Sequence, residues 1–108
     1  MAWHKLCKLE DVPPGKMREC SANGIPIVVV RGDEGFIAIP PTCPHMDNPL
    51  AEGFFDGCIL TCSKHLWQWS IPGGEPIGEA EVALLRYPTE ARDGDIWVEV
   101  DRELEYDT

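Results

Sequence analysis

Two short clips, Cys43-Pro44-His45 and Cys62-Ser63-Lys64-His65, are separated by sixteen residues and carry four soft or borderline donors in the order Cys, His, Cys, His. The pattern is C-x-H-x16-C-x2-H. Two thiolates and two imidazoles can hold a two-iron, two-sulfide core with the sulfurs on one iron and the nitrogens on the other. An oxidised core with two thiolates is neutral, whereas four thiolates leave it doubly negative and harder to reduce in a poorly solvating protein. Imidazole ligation therefore raises the potential. It also leaves one nitrogen on each ring to carry a proton or touch a partner.

Two plainer readings compete for these residues. Cys and His also build structural zinc sites, but those usually pair two Cys with two His at characteristic loop spacings rather than alternating them in short clips. Buried thiols are often small core residues with no ligand at all. A His at a short offset after each Cys argues against that.

The rest of the chain must position the clips. At 108 residues it is expected to be one domain, 1–108, with a modest core and no room for a separate catalytic domain. Nineteen acidic against nine basic residues give a formal charge of −10, which argues against nucleic acid and for protein partners with basic patches. No apolar run is long enough to span a bilayer, and Met1-Ala2-Trp3-His4-Lys5 lacks a signal-peptide layout, so a cytoplasmic location is expected. The remaining cysteines, Cys7, Cys20 and Cys58, are odd in number and show no disulfide-like spacing. They read as structural thiols.

Apolar alternation punctuated by Gly and Pro recurs about every ten residues, the pattern of an antiparallel all-β domain. Strands are expected at residues 3–7, 16–20, 25–31, 35–39, 58–61, 66–70, 84–90 and 96–100. Ile25 to Val30 is β-branched and nearly continuous, which suits a strand covered on both faces. Asn23-Gly24 precedes it as a tight turn, because both residues accept positive φ, and the Gly35 to Ile39 strand is expected to return against it. The residues between the clips can form a short hairpin that turns the second toward the first. Pro44, with Pro40 and Pro41 nearby, stiffens the first.

These residues resemble a known family. Thr42-Cys43-Pro44-His45, Leu50-Ala51-Glu52-Gly53, Asp56-Gly57, Thr61-Cys62 and His65-Leu66-Trp67 are similar to the Rieske-type ferredoxins of bacterial aromatic-ring oxygenases, especially those of multicomponent toluene monooxygenases. The resemblance implies a small antiparallel β-sandwich with a two-loop cluster-binding subdomain, here about residues 41–78. It implies one 2Fe-2S cluster, with Cys43 and Cys62 on the inner iron and His45 and His65, through Nδ1, on the outer. A third loop, Ser70 to Gly78, would pack over the cluster.

The implied function is electron carriage rather than catalysis. A soluble monomer would take one electron from an NADH-dependent flavin and iron-sulfur reductase and pass it to the terminal hydroxylase of a toluene- or benzene-type monooxygenase. The same carrier feeding an aromatic-ring dioxygenase is an alternative, as is the small Rieske-like subunit of an assimilatory nitrite reductase. Asp47, Glu52 and Asp56 are candidate docking acids. The eight acids from Glu90 to Asp107 read mainly as a solvated surface.

Respiratory Rieske proteins clamp their loops with a disulfide, whereas the corresponding positions here hold Asn48 and Lys64. Their hydroxyl donors to cluster and cysteine sulfur are replaced by Trp67 and Trp69. An indole donates one N–H, and fewer hydrogen bonds to sulfur mean a lower potential, so a midpoint of roughly −200 to −50 mV is expected. Of the two rings, one is expected in the core and the other more exposed. His4 receives no role.

Overall fold

The computed structural model describes residues 3–43, 46–50, 53–62, 67–71, 73–78, 80 and 82–104. Its strands are β1 (Trp3–Lys8), β2 (Lys16–Ala22), β3 (Ile25–Arg31), β4 (Phe36–Ile39), β5 (Thr42–Cys43), β6 (Met46–Pro49), β7 (Phe54–Phe55), β8 (Ile59–Thr61), β9 (Gln68–Ser70), β10 (Glu75–Ile77), β11 (Thr89–Arg92) and β12 (Asp95–Glu99), with one 3-10 turn at Leu9–Asp11. All pairings are antiparallel. They give a base sheet ordered β1-β12-β11, a middle sheet β2-β3-β4, a clip sheet β10-β9-β8-β7 and a two-stranded ribbon β5-β6.

The middle sheet explains the continuous β-branched run. In β3, Val28 and Val30 face one way and join Ile37, Ile39, Leu60, Cys62 and Trp69 in the core shared with the clip sheet. Ile27 and Val29 face the other way, packing with Val98 and Ile96 of the base sheet respectively. Residues of one strand alternate between faces, so a strand covered on both sides must be apolar at every position. Each valine of β3 is fully buried.

Local chemistry sets the tight turns. Asn23 and Gly24 have φ of 54° and 75°, and Asp93 and Gly94 have 50° and 82°, the paired positive values of a hairpin turn that matches strand twist. At the start of β2, Arg31 Nη1 donates to the carbonyls of Leu9 and Val12, both at 3.1 Å, tying the 3-10 turn to β3. Cys7 and Cys20, expected to be structural thiols, pack against one cluster of Val12, Val29 and Ile96. Burial and then the neighbouring Cys20 sulfur push the Cys7 thiol up to about 12.

Six expected strands appear within one or two residues of their bounds: β1, β2, β3, β4, β8 and β12. The strand expected at 66–70 is found as Gln68–Ser70, residues 63–66 lying outside the described set. The strand expected at 84–90 is not one strand. Leu84 enters the clip-side core while Tyr87 enters the base-side core, so this segment crosses between layers instead of running along one. Tyr87 makes a single bridge to Ala38, and regular pairing begins only at Thr89, after Pro88, which has no N–H to offer a ladder.

Candidate metal centre

Both clips belong to hairpin ends. Cys43 closes β5 opposite Met46; Pro44 and His45 lie outside the described residues. Cys62 follows β8, and its N–H donates to the Trp67 carbonyl at 2.8 Å, pinching shut the loop that carries the second clip. His65 lies outside the described residues. The expected hairpin between the clips is present as β7 and β8, with Phe54 opposite Thr61 and Phe55 opposite Leu60.

Close backbone approach holds this end together. Leu50 is fully buried, its N–H donates to the Pro41 carbonyl at 2.8 Å, and its own carbonyl accepts from Gly53 at 3.0 Å. Gly53 has to be glycine here, because the Thr61 carbonyl occupies the place a Cβ would take. The segment leaving the first clip is thereby laid on the strand that leads into the second.

Cys62 is fully buried among Leu60, Trp69, Val28 and Val30. A thiolate in apolar surroundings is stable only beside a compensating cation, so this position suits a metal ligand shielded from water. Two thiolates and two imidazoles have the chemistry that a mixed-ligand 2Fe-2S cluster requires. The donor set fits.

Trp69 is fully buried and meets Trp67 edge to face, with centroids 6.3 Å apart and planes at 66°, while Trp67 is only partly buried. This is the division expected of the pair. The Trp69 Nε1–H donates to the Val82 carbonyl at 2.8 Å, so that indole is committed to a backbone acceptor rather than to sulfur. It fixes residues near Val82 against the clip sheet, and Leu84 N–H adds a bond to the Gly74 carbonyl at 3.0 Å. The stretch from Ser70 to Gly78 contains β10, paired to β9 through Glu75 and Ser70, so it is a hairpin arm rather than a loop.

Of the three candidate docking acids, Glu52 and the side chain of Asp47 lie outside the described set. Asp56 is exposed, but its Oδ1 accepts from the N–H groups of Cys58 at 2.9 Å and Ile59 at 2.8 Å. Those bonds, Ile59 first, hold its carboxyl below the usual range. Asp56 therefore shapes the β7-β8 turn. Beside it, the exposed Cys58 thiol donates to Asp33 Oδ2 at 3.6 Å, and that contact raises its pKa. Spacing gave no sign of either contact.

The model of the Rieske [2Fe-2S] domain matches residues 2–88. The methanesulfonate monooxygenase ferredoxin subunit of Methylosulfonomonas methylovora is 44% identical over 108 residues, covering 99% of this chain and 88% of that one. The ferredoxin component of the alkene monooxygenase system of Xanthobacter autotrophicus is 30% identical, covering 86% and 77%. A solved complex of reduced oxygenase and oxidized ferredoxin in carbazole 1,9a-dioxygenase contains a chain that superposes with a TM-score of 0.80 at 30% identity, covering 95% of this chain and 97% of its own. Buried Cys62 at a pinched hairpin end, the clip spacing and these similarities converge: the chain belongs to the Rieske [2Fe-2S] domain family, whose cofactor is a 2Fe-2S cluster with mixed Cys and His ligands.

Proposed function

We propose that this protein is the one-electron carrier of a multicomponent oxygenase, in which Cys43 and Cys62 hold one iron and His45 and His65 the other. The observation that carries this is the burial of Cys62 directly behind the neck of the second clip, in a chain of the Rieske family. When bound, the cluster supplies one reversible electron. The protein supplies the rest: a water-excluding wall of Leu60, Trp69 and Val28, and two clip hairpins laid together by Gly53.

Residues about 41–78 act as the cluster-binding part of one domain, 1–108. The carrier works in the cytoplasm as a monomer, reduced by an NADH-dependent flavin and iron-sulfur reductase and oxidised by the terminal oxygenase. A net charge of −10 supports the monomer, because two copies repel. A carrier that visits two partners in turn also needs weak, rapidly exchanging contacts, which suits a chain this small. Ferredoxins of the methanesulfonate and alkene monooxygenase systems among the relatives support the monooxygenase branch; toluene- or benzene-type substrates are the finer reading, resting on the sequence resemblance alone. Similarity to the carbazole dioxygenase complex supports a second reading, the same carrier feeding a dioxygenase.

The test is metal and acid-labile sulfide analysis with electron paramagnetic resonance of the anaerobically purified protein. Iron and sulfide in equal amounts, and a signal that appears on one-electron reduction and is lost from a His45→Ala, His65→Ala double variant, are expected. A colourless zinc protein overturns the proposal. Pairing the reduced carrier with purified oxygenases of each kind separates the two branches.

A further inference from the structure

We infer that Cys7 and Cys20 are a thiol pair that closes into a reversible disulfide, a modification site that staples the base sheet to the middle sheet. The pair is remote from the clips and goes beyond electron carriage. β1 is an edge strand of the base sheet and β2 an edge strand of the middle sheet, and these two edges pack on one another. Cys7 lies opposite Ile96 in the first sheet and Cys20 opposite Ile27 in the second. Both side chains enter the same cluster, formed by Val12, Val29 and Ile96.

The sulfurs themselves interact. Cys20 is a side-chain hydrogen-bond partner of Cys7, and its own thiol donates to the Arg18 carbonyl at 3.8 Å. Both are free, half-buried thiols. A cysteine that only fills space is usually enclosed on all sides. These two sit at the rim between layers, where a small reagent reaches one sulfur and the other waits beside it.

The oxidant is a low-molecular-weight disulfide of the glutathione class. Cys20 reacts first, because Cys7 holds its proton while Cys20 stands at the exposed end of the hydrogen-bonded chain. Its thiolate attacks one sulfur of the oxidant, a mixed disulfide forms and one small thiol leaves. The Cys20 sulfur is then uncharged, which removes part of what kept Cys7 protonated. Cys7 gives up its proton and attacks the Cys20 sulfur, so the protein disulfide forms and the second small thiol leaves. Each cysteine loses one electron, and the S–S bond of the oxidant is reduced to two thiols that take up both protons. A reducing thiol pool reverses both steps. The new bond closes a loop of about fourteen residues and joins two strands that share no ladder. It leaves the clips alone, since Val29 faces this pair while Val28 and Val30 face Cys62.

The test equilibrates the full-length, cluster-loaded protein, without denaturant and without air, in glutathione buffers of rising oxidised fraction. Remaining thiols are then blocked and the chain is cut with trypsin. A cross-link between the peptides 6–8 and 19–31 should appear, two hydrogens lighter than the free peptides together, and should vanish in dithiothreitol. The melting temperature should rise by roughly 10 °C with the cross-link, while the visible spectrum and midpoint potential stay as they are. Cys7→Ala and Cys20→Ala should each abolish the cross-link and the temperature rise, and Cys58→Ala neither. If both thiols are still blocked as free cysteines in fully oxidised glutathione, if Cys20 stops at the mixed disulfide, or if the cross-link runs to Cys58, the pair is overturned. A cross-link with no rise in melting temperature overturns its role as a staple. The readout is a bond within the polypeptide, so it stands or falls separately from the proposed electron carriage.

Discussion

The two outward sheet faces of this molecule are built on opposite plans. On the base sheet, Arg92 lies over Trp3 at 5.0 Å and over Trp97 at 5.5 Å, and its Nη2 pairs with Glu90 at 2.6 Å, while Lys5 pairs with Asp95 at 3.5 Å. Arg92, Lys5 and both of these rings are partnered within the sheet. On the clip sheet the row of Phe54, Thr61, Gln68 and Ile77 carries no charge and ends in an exposed ring. A face whose groups already satisfy one another has little to offer a partner, whereas an apolar, uncharged one beside the clip gains by being covered. On the base sheet, the charges of Arg92 and Lys5 are answered within the sheet.

The largest effect is expected beneath the clip face. Trp69→Ala removes a fully buried ring and the bond to Val82, and should destabilise the protein by about 3–5 kcal/mol, with loss of cluster during purification. Denaturant titration and iron content measure both. A Trp69→Ala protein of wild-type stability would mean that the clip sheet does not depend on its inner row.

On the base sheet, Arg92→Ala should cost about 1 kcal/mol, the scale of exposed cation–π contacts and a surface ion pair. Electron delivery should not change. A drop in oxygenase turnover with Arg92→Ala would break the contrast between the faces. Lys5→Ala, which removes a half-exposed pair, should shift stability by less than about 0.5 kcal/mol.

Alkaline titration probes the base-side core. Cys7 has a folded pKa near 12 against an ordinary value of 9.0, so the folded state holds its proton more tightly. Its contribution to stability is complete below pH 9 and is lost as pH rises toward 12. Denaturation measured at several pH values across that window should show a shallower decline in Cys7→Ala than in the wild type. An identical slope would remove Cys7 as the cause. The midpoint potential is a further check, expected in the range of roughly −200 to −50 mV. The commitment of the Trp69 N–H to Val82 agrees with that low range, and a strongly positive value would contradict it.

Much of this plan was legible in the sequence. The clip spacing, the paired positive-φ turns at Asn23-Gly24 and Asp93-Gly94, and the doubly buried run of β3 are local signals, each fixed by neighbouring residues. What could not be read depends on distant backbone. Nothing in the chain tells Trp69 to donate to a carbonyl thirteen residues on, or the Cys58 thiol to meet Asp33 twenty-five residues back. The segment from Leu84 to Tyr87 misled for the same reason: its apolar spacing looks like a strand, but its side chains serve two different cores. Cys7 and Cys20 meet because their strands, in different sheets, pack on one another, which no spacing rule records.

The double service of β3 carries a consequence for electron exchange. Because its alternate valines lock the outer layers to one another, a charge arriving at the clips meets a frame with little freedom to shift. A site whose surroundings barely move between oxidation states loses little energy to rearrangement, and so can give up an electron as readily as it accepts one.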